Sequence, residues 1–448
     1  MIPEETMENI RKAGIAHLLA ISGLHIGLVA GMVFALVRLV LVMIPYCAIY
    51  WPTKKISAIV AFAAILFYGW LVGSPVSADR AIIMTGVVLF AILIDRIAIS
   101  LRLAAFAAAL ILLWAPESLM MPGFQMSFAA VVCLIAFYEV WQYKLSRHYY
   151  GRGIPLRITG YATATFVTTL IATLATAPFA LFHFQRVALL PGLLANLVAV
   201  PMTAFLIMPL GLLSVLLMPM GWEPSVISLN AQFIDQILRL AETAANSDHS
   251  VLVWPIWPQE ALALITLGML WIVIWQGRLR LWGILPIILA FAVISSYNPP
   301  DIRIGPDGKI VGIYDGEGLL LSNTRAARFT RKVWQSEYGM PETQGWEDIA
   351  ENTDALTCDT ERCVWEAGGN LFGFPKNQVA AYYDCQNADV VIAPLFYEMP
   401  SDCYKRPHIL RGEIKRGGAH AIYIDEAGFQ VVSSRDRRGV RPWTQYEN

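Results

Sequence analysis

Charge is scarce in the first two thirds of this sequence. Residues 1–300 carry 16 basic and 12 acidic side chains, whereas the remaining 148 residues carry 17 and 22. Soluble domains have about 25% charged residues, so the first part is too apolar for a soluble enzyme and the second is not. A hydrophobic content of 56% excludes a disordered chain. The net charge of −1 identifies no polyelectrolyte partner. There is no G-x-x-x-x-G-K-[ST] loop, so no nucleotide-driven engine is expected. H-E-x-x-H, H-x-x-E-H and H-x-H-x-D-H are missing too, and the seven histidines are scattered singly, so no catalytic metal or cofactor is expected. The start, MIPEETMENIRKAG, has no apolar core behind a basic end and is no signal peptide.

What is present is a series of apolar runs. A transmembrane helix needs about 20 mostly apolar residues. Candidate spans are 24–44, 56–73, 80–94, 101–115, 124–141, 161–184, 187–204, 205–219, 258–275 and 281–297, which predicts nine or ten crossings. Residues 220–257 differ: Ile227, Ile234, Ile237, Leu238 and Leu240 alternate with Asn230, Gln232, Asp235, Gln236 and Arg239. That pattern suits a helix lying in the membrane interface or one belonging to an extramembrane cap. The fold class read from this is a polytopic α-helical membrane protein over 1–300, with a C-terminal extracytoplasmic α+β domain over 301–448.

Orientation follows from Lys and Arg in short loops. Lys54 and Lys55; Arg96 and Arg102; Lys144, Arg147, Arg152 and Arg157; and Arg278 and Arg280 all fall on one side of a ten-span path, assigned to the cytoplasm. The tail and the N-terminus then lie outside. A translocated start with no span before it leads us to expect a further membrane segment encoded upstream.

In the tail, hairpins are expected around Asp315-Gly316 and Gly368-Gly369, a helix over 325–338, and strands over 388–393, 419–424 and 429–432. Cys358, Cys363, Cys385 and Cys403 suit two disulfides of unspecified pairing in an oxidising compartment. Zinc is the alternative, but no tight pair of C-x₂-C spacings exists.

Five polar motifs interrupt the apolar part. His17, Ser22 and His25 stand at the entrance of the first span, with His17 and His25 within about 80° of each other on a continuous helix. Gly23, Gly27 and Gly31 form a small-residue stripe that admits a neighbouring helix. Ser77, Asp79 and Arg80 open the third span, where the charged pair can pair internally or contact a charged substrate. Pro122 to Ser127 contains Gln125. His183-Phe-Gln-Arg186 marks an external turn, and Asn196 to Pro201, followed by Pro209, suggests a broken span. Polar groups at membrane depth are costly unless they face a cavity or partner, although helix packing and interfacial anchoring also account for each motif. Ser22 and His25 lack an orienting acid and an oxyanion hole, so no catalytic residue is assigned and no enzyme is expected.

HLLAISGLHIGL (17–28), SADRAIIM (77–84), GFQMSFAAV (123–131) and HFQRVALLPGLLANLVAVP (183–201) together resemble the ComEC family of competence proteins. These are polytopic channels through which naturally transforming bacteria import single-stranded DNA. The resemblance covers about residues 1–300. It implies a bacterial inner-membrane location, single-stranded DNA as the substrate, and surrounding lipid. It implies a DNA-receptor protein outside and a cytoplasmic ATPase or strand-binding protein inside, and it leaves a homo-oligomer open. Relatives usually have further helices and an OB-like domain first, and many end in a metallo-β-lactamase-like domain. Here the tail lacks H-x-H-x-D-H, so a degenerate form without nuclease activity is expected. A DNA path must be wet and polar, and non-specific passage favours basic and stacking groups. Its candidates are His17, Ser22, His25, Ser74, Ser77, Asp79, Arg80, Gln125, Ser127, Arg186, Asn196 and Pro201, with Arg38 as a further basic group. The basic tail end, from Lys405 to Arg441, could gather nucleic acid or be a solvated surface. The alternatives are transport of another anionic polymer or a lipid-linked substrate, or hydrolysis by the tail.

Overall fold

In the computed structural model, the described residues are 2–439 except 20, 22, 74–75, 97–99, 150–153, 248–249, 317, 341–342, 347–355, 400 and 426–427. Side chains at 76, 142–149, 154–158, 161–162 and 402 are also outside the description. The expectations for Ser22, Ser74 and Arg441, and for the Lys144, Arg147, Arg152 and Arg157 side chains, therefore lie outside the described residues. The chain divides into two units, Met1–Val253 with Gln259–Val293, and Trp254–Pro258 with Ile294–Asn448.

The first unit is helical: α1 (Glu4–Lys12), α2 (Gly23–Met43), α3 (Pro45–Tyr50), α4 (Thr53–Leu71), α5 (Val76–Leu93), α6 (Leu101–Trp114), α7 (Pro122–Tyr149), α8 (Ile154–Phe184), α9 (Leu190–Met202), α10 (Met208–Leu217), α11 (Glu223–Ala245), α12 (Gln259–Ile274) and α13 (Ile284–Ser295). Among the described residues, six helical segments are long and apolar enough to cross a membrane, and α6 and α12 are shorter apolar helices. Small residues set the closest packing. Ala58 and Ala61 of α4 and Ala78 of α5 are fully buried with Ile26 and Ala30 of α2, because a missing side chain lets helix backbones approach where lipid supplies no hydrophobic drive.

The structure corrects two sequence expectations and adds the packing partners of a third segment. The first concerns 187–204 and 205–219, which are not two spans separated by a break. Leu190–Met220 is a single 31-residue helical run. Pro201 removes one donor near the end of α9, and the chain answers with a π-helical turn at Thr203–Ile207. Thr203 and Met208 both keep right-handed helical dihedrals. The Thr203 hydroxyl donates to the Ala199 carbonyl at 2.8 Å, which meets part of the backbone need.

The second concerns 220–257. α11 runs antiparallel along α9 and α10. Asn230 faces Gly211 of α10, and Ala241 and Ala244 share a buried cluster with Ala195 and Ala199 of α9. Of the apolar residues in the expected alternation, Ile237, Leu238 and Leu240 pack against helix neighbours, whereas Ile227 and Ile234 are exposed.

The third concerns the stripe Gly23, Gly27 and Gly31. A Cβ at any of these positions meets nothing within 4 Å. The buried face of α2 is Ile26, Val29 and Ala30, about 110° around the helix from the glycines, so the stripe packs no helix among the described residues.

The second unit is α+β. Six strands, β3 (Ile302–Ile304), β4 (Val311–Tyr314), β5 (Leu319–Leu321), β6 (Gln344–Gly345), β12 (His420–Asp425) and β13 (Gly428–Ser433), form one sheet in the order β13-β12-β3-β4-β5-β6. Five others, β7 (Leu356–Cys358), β8 (Arg362–Ala367), β9 (Asn370–Pro375), β10 (Val390–Ala393) and β11 (His408–Leu410), form the second in the order β11-β10-β9-β8-β7. The remaining strands, β1 (Arg186–Ala188) and β2 (Val251–Val253), pair antiparallel in the first unit. One buried cluster holds Ile302, Ile313 and Ile422 from the first large sheet and Trp365, Phe372 and Ile392 from the second, so the sheets pack face to face. α14 (Arg328–Tyr338) covers the outer face of the six-stranded sheet through Trp334 and Tyr338. The helix Gln378–Asn387 covers the other through Ala381 and Cys385. Both expected hairpins form, and Gly368 and Gly369 adopt the positive φ angles of 56° and 71° that the second requires. Cys358 pairs with Cys363 across β7 and β8, and Cys385 pairs with Cys403. Cys47 and Cys133 are free.

Candidate functional site

The five polar motifs, scattered over 185 residues of sequence from His17 to Pro201, are linked: contacts join four of them in a circuit closed through α1, and Asn196 of the fifth lies beside Gly14. Ser77 at the start of α5 donates to the Ile21 carbonyl at 2.8 Å, which joins the second motif to the first. Three residues on, the Arg80 guanidinium lies against Gly123 at the start of α7, so closely that a Cβ there would be 3.0 Å from Cζ. Gln125 then joins α7 to the end of α8: its Oε1 is 2.7 Å from His183 Nε2, and its Nε2 donates to the Leu119 carbonyl at 3.0 Å. The carbonyl oxygen of a Gln accepts, so His183 Nε2 carries the proton here. Three residues further, Arg186 on β1 donates to Glu8 of α1 at 2.9 Å. α1 leads back to His17, and the circuit closes. Gly192 completes the junction: its position is wedged between Ala188 and the Ala13 carbonyl, where a Cβ would sit 2.9 Å from that oxygen.

Not every expected residue plays the expected part. Arg186 is an ion-pair partner of Glu8, which also lies 3.7 Å from Arg11. It is therefore a brace between α1 and β1 and not a free cation. His17 and His25 do not share one helical face, because Ala16–Leu18 is a 3-10 turn and α2 starts only at Gly23. The His17 ring stands 3.2 Å from the Gly14 carbonyl, and His25 is half-buried. Ser127 and Asp79 are exposed. Pro201 belongs to the continuous run already described. Asn196 is at the junction of α9 with Gly14, and its buried Oδ1 has no hydrogen-bond partner among the described residues.

Arg80 stands apart. It is half-buried and forms no ion pair with Asp79 or another described carboxylate. Its position at the start of α7 is also the positive end of that helix dipole, where a cation is disfavoured by about 0.3–1 kcal/mol and an anion favoured. The arrangement suits a passing phosphate or carboxylate. Among the described residues no three His, Cys, Asp or Glu side chains gather as metal ligands.

Sequence reasoning missed Glu8, Gly14 and Gly192. Glu8 lies 178 residues from Arg186, and no periodicity spans such a gap. Gly14 gave a local hint only, its φ of 69° being one that glycine tolerates.

The competence protein family matches residues 1–279. ComE operon protein 3 of Bacillus subtilis is 30% identical over 221 residues, which is 49% of this chain and 25% of that protein. Recombination protein 2 of Haemophilus influenzae is 32% identical over 214 residues, 48% of this chain and 26% of that one. The uncharacterized protein YcaI of Escherichia coli is 28% identical over 214 residues, with 47% and 26% covered. The matched stretch thus spans about a quarter of each relative's length. No solved structure matches this chain. The five motifs that the fold gathers all lie within the matched residues, and with more than half its length matched the chain belongs to the competence protein family.

Proposed function

We propose that the helical unit is a passive inner-membrane conduit that admits single-stranded DNA to the cytoplasm during natural transformation. The observation that carries this reading is Arg80, a half-buried guanidinium with no carboxylate partner among the described residues, set beside Gly123 where the second and third motifs meet. One unneutralised cation attracts a phosphate without gripping a polyanion, and conduction needs binding weak enough to release. Membership in the competence family supports the reading. The second unit lies outside the cytoplasm, where its two disulfides persist, and it has no catalytic role. The driving force comes from partners: a DNA receptor outside, and a cytoplasmic ATPase or strand-binding protein inside.

The test is transformation of a competent strain carrying Arg80→Gln. Uptake of a selectable marker into the cytoplasm is expected to fall while membrane abundance and binding of DNA to the cell surface persist. Normal transformation by a strain deleted for the whole gene, and otherwise competent, would overturn the proposal.

A further inference from the structure

The polar half of α11 is too long, too exposed and too well aligned with a membrane span to face lipid. Ser225, Gln232, Asp235, Gln236, Arg239, Glu242 and Thr243 are all exposed. At 100° per residue they fall within an arc of about 120°. From Ser225 to Thr243 the stripe is about 27 Å long, against a hydrocarbon core of about 30 Å. The opposite side is apolar: Ile237 and Leu238 pack with Ala241 and Ala244 against α1 and α9, and Ile227 and Ile234 are exposed apolar positions beside them.

Depth follows from the packing register. Asn230 stands beside Gly211, and Ala241 and Ala244 cluster with Ala195 and Ala199. The middle 20 residues of the 31-residue run Leu190–Met220 therefore lie alongside about 225–244 of α11. A stripe at that depth containing two glutamines and three charged groups is costly in hydrocarbon, and such groups face protein or water. Asp235 and Arg239 pair at 2.9 Å, yet their side chains are 55% and 77% exposed, so the pair does not bury itself. The stripe has no net excess of positive charge: one arginine stands among two acids.

We propose that α11 forms a wall of a water-filled path along the helical unit, with the Ser225–Thr243 stripe facing the lumen. The occupant of that face is water, because its polarity continues through the full membrane depth and is not confined to the ends. This deepens the conduit reading and rests on it only for what passes along the wall. A nearly neutral, hydrogen-bonding surface lets a polyanion slide without holding it.

The test uses the full chain with Cys47 and Cys133 replaced by Ala, the disulfides intact, and single changes Gln232→Cys, Gln236→Cys and Ile234→Cys. Intact spheroplasts are treated with the membrane-impermeant reagent sulfonatoethyl methanethiosulfonate. Cysteines at 232 and 236 are expected to react at least tenfold faster than that at 234. Equal rates, or protection at 232 and 236 with oxidative cross-linking between copies, would overturn the proposal and make the stripe a protein interface. Transformation is scored on the same cells. Fast labelling that leaves uptake unchanged keeps the aqueous wall and removes DNA as its cargo, whereas slow labelling with normal loss of uptake in Arg80→Gln removes the wall and keeps the conduit.

Discussion

Gly123→Ala isolates the placement of Arg80 from its charge. The new Cβ would stand 3.0 Å from Arg80 Cζ, 3.1 Å from Nη1 and inside van der Waals contact with Nη2. These atoms are the far end of a flexible side chain, so the guanidinium swings away and the helices stay. The expected loss of fold stability is therefore small, about 0.5–1.5 kcal/mol for a displaced rotamer. The functional loss is larger. A hydrogen bond to a charged group contributes about 1.5–3 kcal/mol, and 1.4 kcal/mol is a factor of ten. If phosphate passage depends on Arg80 where it now stands, uptake falls on the order of 10- to 100-fold in Gly123→Ala. In an Arg80→Gln background, the same glycine change then adds little, because the group it displaces is already gone. The assay is transformation frequency normalised to membrane abundance across the four genotypes. Independent, multiplicative losses from the two substitutions would refute the placement argument. Wild-type uptake in Gly123→Ala with normal abundance would refute it as well.

Three predictions concern the second unit. Asp384 is buried against Gly373 and accepts from Arg362 at 2.7 Å; burial pushes its carboxyl up while Arg362 pulls it down. Asp384→Asn should cost about 3 kcal/mol, the low end for a broken buried pair, since Arg362 keeps Asp359 at 3.8 Å; an unchanged thermal unfolding midpoint would contradict this. His420 is buried, and burial pushes its imidazole below the usual 6.5, opposed in part by its bond to the Gly418 carbonyl. The folded unit then binds fewer protons than the unfolded chain, so stability is full above about pH 6.5 and falls as pH drops through that value. Unfolding midpoints at pH 7.5 and 5.5 should differ in that direction and converge in His420→Gln; a higher midpoint at the lower pH would refute the sign. Removing the Cys385–Cys403 bridge, which spans 18 residues, should cost about 3 kcal/mol, and removing Cys358–Cys363, which spans 5, about 2; denaturant midpoints of paired alanine variants would show the order.

Local features were legible in the sequence. Long apolar runs specify membrane helices, because backbone polar groups in hydrocarbon must be satisfied within the segment. Alternation with an Asp-Gly and a Gly-Gly turn specified the hairpins at 315–316 and 368–369, because side-chain direction and backbone hand are set residue by residue. The polar motifs also stood out locally, as groups too costly to leave in lipid without a purpose. Tertiary structure alone decided which of them meet. Ser77 reaches Ile21 across 56 residues and Arg186 reaches Glu8 across 178, separations that no repeat period encodes. It turned Arg186 into a brace and left Arg80 without a carboxylate partner among the described residues. It kept Pro201 inside a continuous helical run, because a π turn absorbs the lost donor. It also set α11 antiparallel to α9 and α10. An amphipathic pattern fixes only that two faces differ, and the small residues Ala195, Ala199, Gly211, Ala241 and Ala244, brought together by the fold, decide where the apolar one is buried.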